Sequence, residues 1–343
     1  MKKFKPFMVL GSSLFAVTLV VPAVLVLPFS GEKASGKLGV SVTQAPAKNV
    51  AAAPTADAGV EVAVYRFSKG KIDKVQLEDY LVGVVAAEMP AEFKEEALKA
   101  QALTARTYIV KQLMNPGDHL GLPKGADVGD NELTQAYLSD DLLRKDWGMD
   151  YSWKRKKILD AVRGTSGQIL TYNGQPITAT FFSTSNGYTE NSEDYWPNPF
   201  PYLRSVPSPW DTSSPKFNGE QTFTVAGFEA KLGVRLKGSS IGVVVARTAG
   251  KRVAKVDFNG KILTGKEIRD KLGLKSSDFS WVRKGDQIVV STKGYGHGVG
   301  MSQYGANGMA AEGKNYKDIV KYYYKGVEVT SSQSMLAMVS GKK

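Results

Sequence analysis

Leu77, Leu81, Val84 and Glu88 recur at spacings of four, three and four, the interval that stacks side chains on one face of an α-helix. Three are apolar and the fourth is an acid, so Glu88 continues a stripe that faces the core. Met89-Pro90 follows at once, and the proline ends the helix there. Glu88 therefore stands in the last turn, where the helix macrodipole is negative. Partial burial and that dipole both disfavour the charged form, so the carboxyl is expected to titrate above its usual range. An acid that keeps its proton near neutral pH is what general-acid catalysis requires. A final-turn glutamate can also swing past Pro90 into water, and spacing alone does not choose between the two.

Further polar candidates follow. In "EEALKAQALTARTYIVKQLM", Gln101, Thr104 and Tyr108 form a polar row beside the apolar row Leu98, Ala102, Ala105 and Ile109. Such a row is either a wet surface or the wall of a cleft. Arg106 is a candidate for orienting a substrate or carboxylate, while Ala97, Ala100, Ala102 and Ala105 permit close helix packing. The loop "FFSTSNGYTENSEDYWPNPFPYLRSVPSPWD" is dense in hydroxyls, amides and rings. Aromatic faces stack on sugars and polar groups bond their hydroxyls, so Ser183, Ser185, Asn186, Tyr188, Tyr195, Trp196 and Asp211 are candidates for a carbohydrate groove. Glu190, Glu193, Asp194 and Asp211 are the candidates for a second carboxylate.

In "KGYGHGVGMSQYGANG" glycines occupy positions 294, 296, 298 and 300. Their bare backbone admits a ligand or another strand. The spacing is neither that of a phosphate-binding Walker loop nor that of a dinucleotide fingerprint. His297, one of two histidines in the chain, reads as structural or as part of a site in that glycine-rich setting. His119 is distant in sequence and cysteine is absent, so neither a metal site nor a cofactor is expected.

The elements that must position these residues are mixed. "GVEVAVYRFS" alternates like a strand, "LEDYLVGVVAAE" and the segment after Pro90 are helical, and residues 115–150 form an irregular or weakly helical excursion. "SWKRKKILDAVRGTSG" reads as a helix closed by Gly164. Asn173-Gly174 and Asn259-Gly260 each mark a hairpin with a type I′ turn. Residues 220–290 read as a small inserted α+β subdomain, and two glycine-ended helices close the chain. The expected fold is α+β: a mixed helical and antiparallel-sheet domain over residues 61–343, without internal repeats.

The N-terminus begins "MKKFKPFMVLGSSLFAVTLVVPAVLVLPFSGEK", with an uncharged run from Pro6 to Phe29 behind three lysines. That run is long enough to span a bilayer at about 1.5 Å per residue, and the "LPFSGEK" that ends it offers no convincing small-x-small cleavage site. An uncleaved transmembrane anchor is expected over residues 1–30, with a flexible Ala-, Gly-, Ser- and Pro-rich tether over 31–60. The basic flank keeps the N-terminus cytoplasmic and sends the remainder outside. Lysine and arginine number 45 against 33 acids, a net charge of +12. Outside the membrane, that excess suits anionic wall or lipid and disfavours nucleic acid as a partner.

Taken in order, "VVAAEMPAEFKEEALKAQALTARTY", "TSGQILTYNGQPITATFFSTSNGYTE", "PYLRSVPSPWD" and "GYGHGVGMSQYGANGMA" resemble the stage II sporulation protein D family. "STSNGYTE" departs from the Ser-Gly-Gly form of many relatives. Some relatives bind zinc through Cys and His, which this cysteine-free chain cannot follow. The resemblance implies a lytic transglycosylase that cleaves peptidoglycan glycan strands already stripped of stem peptides, with Glu88 as the catalytic acid. It adds Gly298, Gln303 and Tyr304 to the candidate substrate-binding residues. It further implies a septal complex with stage II sporulation proteins M and P in the mother-cell membrane during engulfment of the forespore. Two alternatives stand beside it: a non-catalytic wall-binding activator of an N-acetylmuramoyl-L-alanine amidase, and a membrane-anchored hydrolase.

Overall fold

The computed structural model describes residues 59–115, 121–131 and 134–340. Strands β1 (Glu61–Arg66) and β2 (Lys71–Gln76) pair antiparallel, and β3 (Val128–Gly129) joins β1 in parallel. Helix α1 (Leu77–Glu88) starts with Glu78 and Asp79 in its first turn, where the dipole favours acids. It stops at Met89, which is extended at φ −136°, as expected of a residue before proline. Leu77, Leu81 and Val84 are fully buried. Helix α2 (Glu95–Met114) runs through the centre of the main core, with Ala97, Ala100, Ala102 and Ala105 at zero exposure. Those small side chains let the neighbouring helices approach closely.

Residues 121–131 and 134–150 are more ordered than the sequence suggests. They contain β3, a segment laid along α1, and helix α3 (Asp140–Trp147). Gly83 makes the close approach possible: a Cβ there would stand 2.4 Å from the Tyr137 ring and 2.5 Å from the Leu138 carbonyl. Helix α4 (Tyr151–Arg163) ends at Gly164, yet Gly164 stays helical at φ −62°. The left-handed turn falls at Gly167, with φ 67°.

Strands β4 (Gln168–Tyr172) and β5 (Gln175–Pro176) meet at Asn173 and Gly174, whose φ values of 50° and 75° suit a type I′ turn. The returning arm is short, and Pro176 brings no N–H to it. The chain leaves instead to place β6 (Phe181–Phe182) parallel to β13 (Met301–Ser302), while β14 (Glu328–Ser331) covers the other edge of β4. Pairings this distant in sequence leave no local signature.

Residues 218–293 carry their own apolar cluster around Phe228, Val256, Ile268, Phe279 and Ile288. One sheet orders as β11 (Phe279–Lys284), β12 (Gln287–Lys293) and β7 (Asn218–Thr224). The other orders as β10 (Lys261–Thr264), β9 (Val253–Phe258) and β8 (Val243–Arg247). Helices α5 (Val225–Leu232) and α6 (Gly265–Leu272) each end on a left-handed glycine, Gly233 and Gly273. A Thr264–Glu267 capping box starts α6. Helices α7 (Gln303–Ala311), α8 (Tyr316–Tyr323) and α9 (Gln333–Ser340) finish the described chain. The sequence shows the first two of these; α9 carries no comparable signal.

The alternating glycines admit a neighbouring segment of the chain. Gly294, Gly296, Gly298 and Gly300 all have positive φ. A Cβ would meet Thr184 O at 2.8 Å from Gly294, Phe182 Cβ at 2.8 Å from Gly296 and Thr180 O at 2.0 Å from Gly300. The segment is thus pressed against residues 180–185. Gly300→Ala combines that clash with φ +83°, and is expected to destabilise the protein by about 2–3 kcal/mol. A drop in the denaturant midpoint at unchanged slope checks this.

Among the described residues no helix is long and apolar enough to cross a membrane. The expected anchor over 1–30 and nearly all of the tether over 31–60 lie outside the described residues.

Candidate active site

Glu88 is half-buried at the C-terminal end of α1. The Ala136 N–H donates to its Oε1 at 3.1 Å. That amide belongs to the segment held along α1 by Leu138 N–H to Gly83 O and by the stacked rings of Tyr137 and Tyr80, 5.5 Å apart. The Tyr80 phenol is pushed well above its usual range by burial, with Tyr108, Tyr137 and Glu88 adding to the effect. It stays neutral. A glutamate whose one oxygen is fixed by a backbone amide, at a helix end that solvent reaches, can give and retake a proton in a defined direction.

The chain after Glu88 leads to the other candidates. Phe93 packs edge-on against Tyr304, with centroids 4.9 Å apart, and the Lys94 N–H donates to Asn307 Oδ1 at 2.8 Å. Tyr304 donates its N–H to Ser183 O at 3.1 Å. Ser183 follows Phe182, whose ring is 5.7 Å from that of His297. His297 is in turn 5.6 Å from Tyr195 and 5.2 Å from Trp196. Arg269 of α6 donates to the Tyr195 hydroxyl at 2.9 Å. The fold therefore gathers Ser183, Tyr195, Trp196, His297 and Tyr304 into one half-exposed aromatic and polar surface, joined to the Glu88 loop through Phe93.

Within it His297 is neutral. Its Nδ1 accepts from the Val299 N–H at 3.1 Å, which puts the ring proton on Nε2. Burial, and then the charge of Arg269, push its pKa down to about 3. The unfolded chain protonates this histidine below about pH 6.5, while the folded one does not until far lower. Its contribution to stability is thus complete above about 6.5 and is lost as pH falls toward 3. His297→Phe is expected to flatten that part of the acid limb, seen as a smaller loss of denaturation midpoint between neutral and acidic buffers.

Several sequence candidates are not on this surface. Arg106 is fully buried, and its guanidinium donates to Thr165 O at 2.6 Å, Thr165 Oγ1 at 2.8 Å and Val162 O at 2.9 Å. It clamps the end of α4, because the carbonyls of a helix terminus need donors. Gln101 and Gln303 are buried on the adjacent helices α2 and α7. Ser185 and Asp211 are both at zero exposure and bond each other. Gly298 lies under the Arg252 guanidinium, which a Cβ would meet at 2.5 Å. Asn186 spans to Gly250 O at 3.0 Å and Asp278 Oδ2 at 2.9 Å, and Tyr188 is exposed.

Three of the four candidate second carboxylates have other partners. Glu190 pairs with buried Arg252 at 3.1 Å and accepts from Thr248 Oγ1 at 2.7 Å, and Glu193 pairs with Arg204. Asp211 is held by serines, and Asp194 is exposed. The Ala136 amide, Phe93 and Arg269 were not visible as site residues. Phe93 had a signal in its place just after the helix break; a backbone amide and a distant arginine have none.

The chain is an α+β protein with Glu88 at a helix end and an aromatic and polar surface that its following loop reaches through Phe93 and Tyr304. A family model described as stage II sporulation protein matches residues 65–172. The chain is 51% identical over 99% of its length to stage II sporulation protein D of Bacillus subtilis (strain 168), covering 100% of that protein. It is 50% identical over 99% of its length to stage II sporulation protein D of Bacillus amyloliquefaciens, again covering 100% of the relative. The amidase enhancer of Bacillus subtilis (strain 168) is 30% identical over 73% of this chain and 40% of its own length. The chain belongs to the stage II sporulation protein D family.

Proposed function

We propose that this protein is a lytic transglycosylase that cleaves the bond between N-acetylmuramic acid and N-acetylglucosamine in peptide-stripped glycan strands. The observation that carries the reading is Glu88, half-buried at the end of α1 and oriented by the Ala136 amide. Its carboxyl proton passes to the glycosidic oxygen as the bond to muramic C1 breaks, and the bonding electrons stay with that oxygen. The muramic C6 hydroxyl then closes on C1 and returns its proton to the Glu88 carboxylate. The product is a 1,6-anhydro end, and no water is consumed. A single carboxyl that changes role is sufficient. This agrees with Glu190, Glu193 and Asp211 being bound to other groups. Tyr195, Trp196 and Tyr304 offer ring faces for sugars.

Mass spectrometry of peptide-free strands treated with the protein tests this directly. Anhydro ends, lighter by one water than reducing ends, are expected. Reducing ends that take up solvent oxygen would make the protein a hydrolase, and intact strands under binding conditions would refute cleavage altogether. The relative named amidase enhancer supports a second reading, a non-catalytic wall-binding activator of an amidase. On that reading Glu88→Gln leaves the partner's activity intact. Within the main proposal, the anchor expected over residues 1–30 holds the domain outside the mother-cell membrane at the septum. Stage II sporulation proteins M and P share that complex, P supplying the peptide-free strands for engulfment.

A further inference from the structure

A cleft of about 690 Å³ opens on the inserted subdomain, between β7, the turn at residues 247–251 and the paired strands β11 and β12. That volume lies in the range of small-ligand sites. Its walls combine three chemistries. Asn218 and Ser291 supply polar groups, and Arg247, Lys251 and Lys293 supply cations. Of its two acids, Asp278 is already matched, accepting from Arg247 at 3.1 Å and from Asn186 at 2.9 Å. Glu220 is the acid that remains. Lys251 and Lys293 are exposed and make no ion pair among the described residues.

Two tyrosines lie near the cleft lysines in space or in sequence. The Lys251 ammonium sits 5.9 Å over the exposed ring of Tyr188. Tyr295, two residues beyond Lys293, carries Lys216 at 5.2 Å and Lys275 at 5.3 Å. Asn186 ties the cleft to the loop that also bears Ser183, Tyr195 and Trp196. Hydroxyl-binding groups and lysines without an ion pair together suit a sugar polymer that carries anionic groups at intervals.

We propose that this cleft is a second glycan subsite that reads the lactyl carboxylates of peptide-free strands, with Lys251 and Lys293 as the charge-reading residues. The inference rests on the substrate reading above and deepens it. Removing a stem peptide hydrolyses the amide on the muramic lactyl group and leaves a free carboxylate close to the sugar ring. In an unprocessed strand the same position is a neutral amide that continues into a peptide. Recognition by two lysines favours the first and gains nothing from the second.

The test measures binding and cleavage separately. Binding uses the full-length chain carrying Glu88→Gln, so that strands are not consumed. The probes are peptide-free glycan strands and the same strands with their carboxylates converted to methylamides. The parent is expected to prefer the carboxylate form by about tenfold. Lys251→Gln/Lys293→Gln should abolish most of that preference at an unchanged melting temperature. Lys145→Gln/Lys321→Gln, which removes the same charge from exposed positions elsewhere, should keep it. No preference in the parent, an unchanged preference in the first double variant, or an equal loss in the second would overturn the subsite. Anhydro-product release by the chain with Glu88 intact is read in parallel. If the carboxylate preference holds and no anhydro ends form, the transglycosylase reading fails and the subsite stands. If anhydro ends form and the preference is absent, the reverse is true.

Discussion

Glu88→Gln is expected to lower the release of 1,6-anhydro products from peptide-free glycan by about a thousandfold, with the fold intact. The amide has no proton acidic enough for the leaving oxygen and no charge with which to accept one from the C6 hydroxyl. Both halves of the reaction fail together because one group serves both. The structural cost is small for a specific reason. Glu88 is half-buried, and its Oε1 accepts the Ala136 N–H at 3.1 Å, a bond that a glutamine carbonyl keeps. Initial rates by mass spectrometry and a thermal melt, run on one preparation, separate the effects. Activity within about tenfold of wild type would remove Glu88 from its proposed role.

Asp211→Ala is expected to act in the opposite manner, through stability. Asp211 is fully buried and accepts from Ser185 N and Ser185 Oγ at 2.8 Å each, from Ser208 Oγ at 2.5 Å, and from Ser302 Oγ. Ser208 Oγ also meets the Tyr323 hydroxyl at 2.7 Å. One carboxylate thus fastens the loop at 185, the turn at 208–211, the start of α7 and, through Ser208, helix α8. Alanine strands an amide and three hydroxyls where they have lost their acceptor, at a cost of about 3–5 kcal/mol. For a domain of this size that is a fall of about 10 °C in melting temperature. Asp211→Asn, which keeps one acceptor oxygen, should lose less. A shift below about 1 kcal/mol for the alanine variant would mean that the hub contributes little to the fold. Activity of Asp211→Ala should return on cooling, whereas that of Glu88→Gln should not.

The two variants also mark how far the sequence reaches. The place of Glu88 at a helix end was legible because its signal is local: a 3–4 spacing, an apolar stripe and a proline. The Asn173-Gly174 and Asn259-Gly260 turns were legible for the same reason, since positive φ at two adjacent residues restricts their types. Asp211 and Arg106 looked like binding residues because a polar residue type announces that it will make hydrogen bonds, and not with whom. Arg106 found the carbonyls at the end of α4, and Asp211 found serines separated from it by up to 91 residues. The alternating glycines likewise announced a close approach without naming the neighbours, which proved to be residues 180–185 and, at Gly298, the Arg252 guanidinium.

By itself the sequence determined where helices stop, where hairpins turn, which acid ends an apolar face and which family the chain resembles. Those properties depend on dihedral preferences and periodicity within a few residues. Tertiary structure alone decided that the Ala136 amide orients Glu88, that Phe93 meets Tyr304, and that His297 stays neutral among rings and beside Arg269. It also decided that Lys251 and Lys293 share a cleft. Burial and partner choice are set by segments far apart in the chain, and they exist only once the core has brought those segments together.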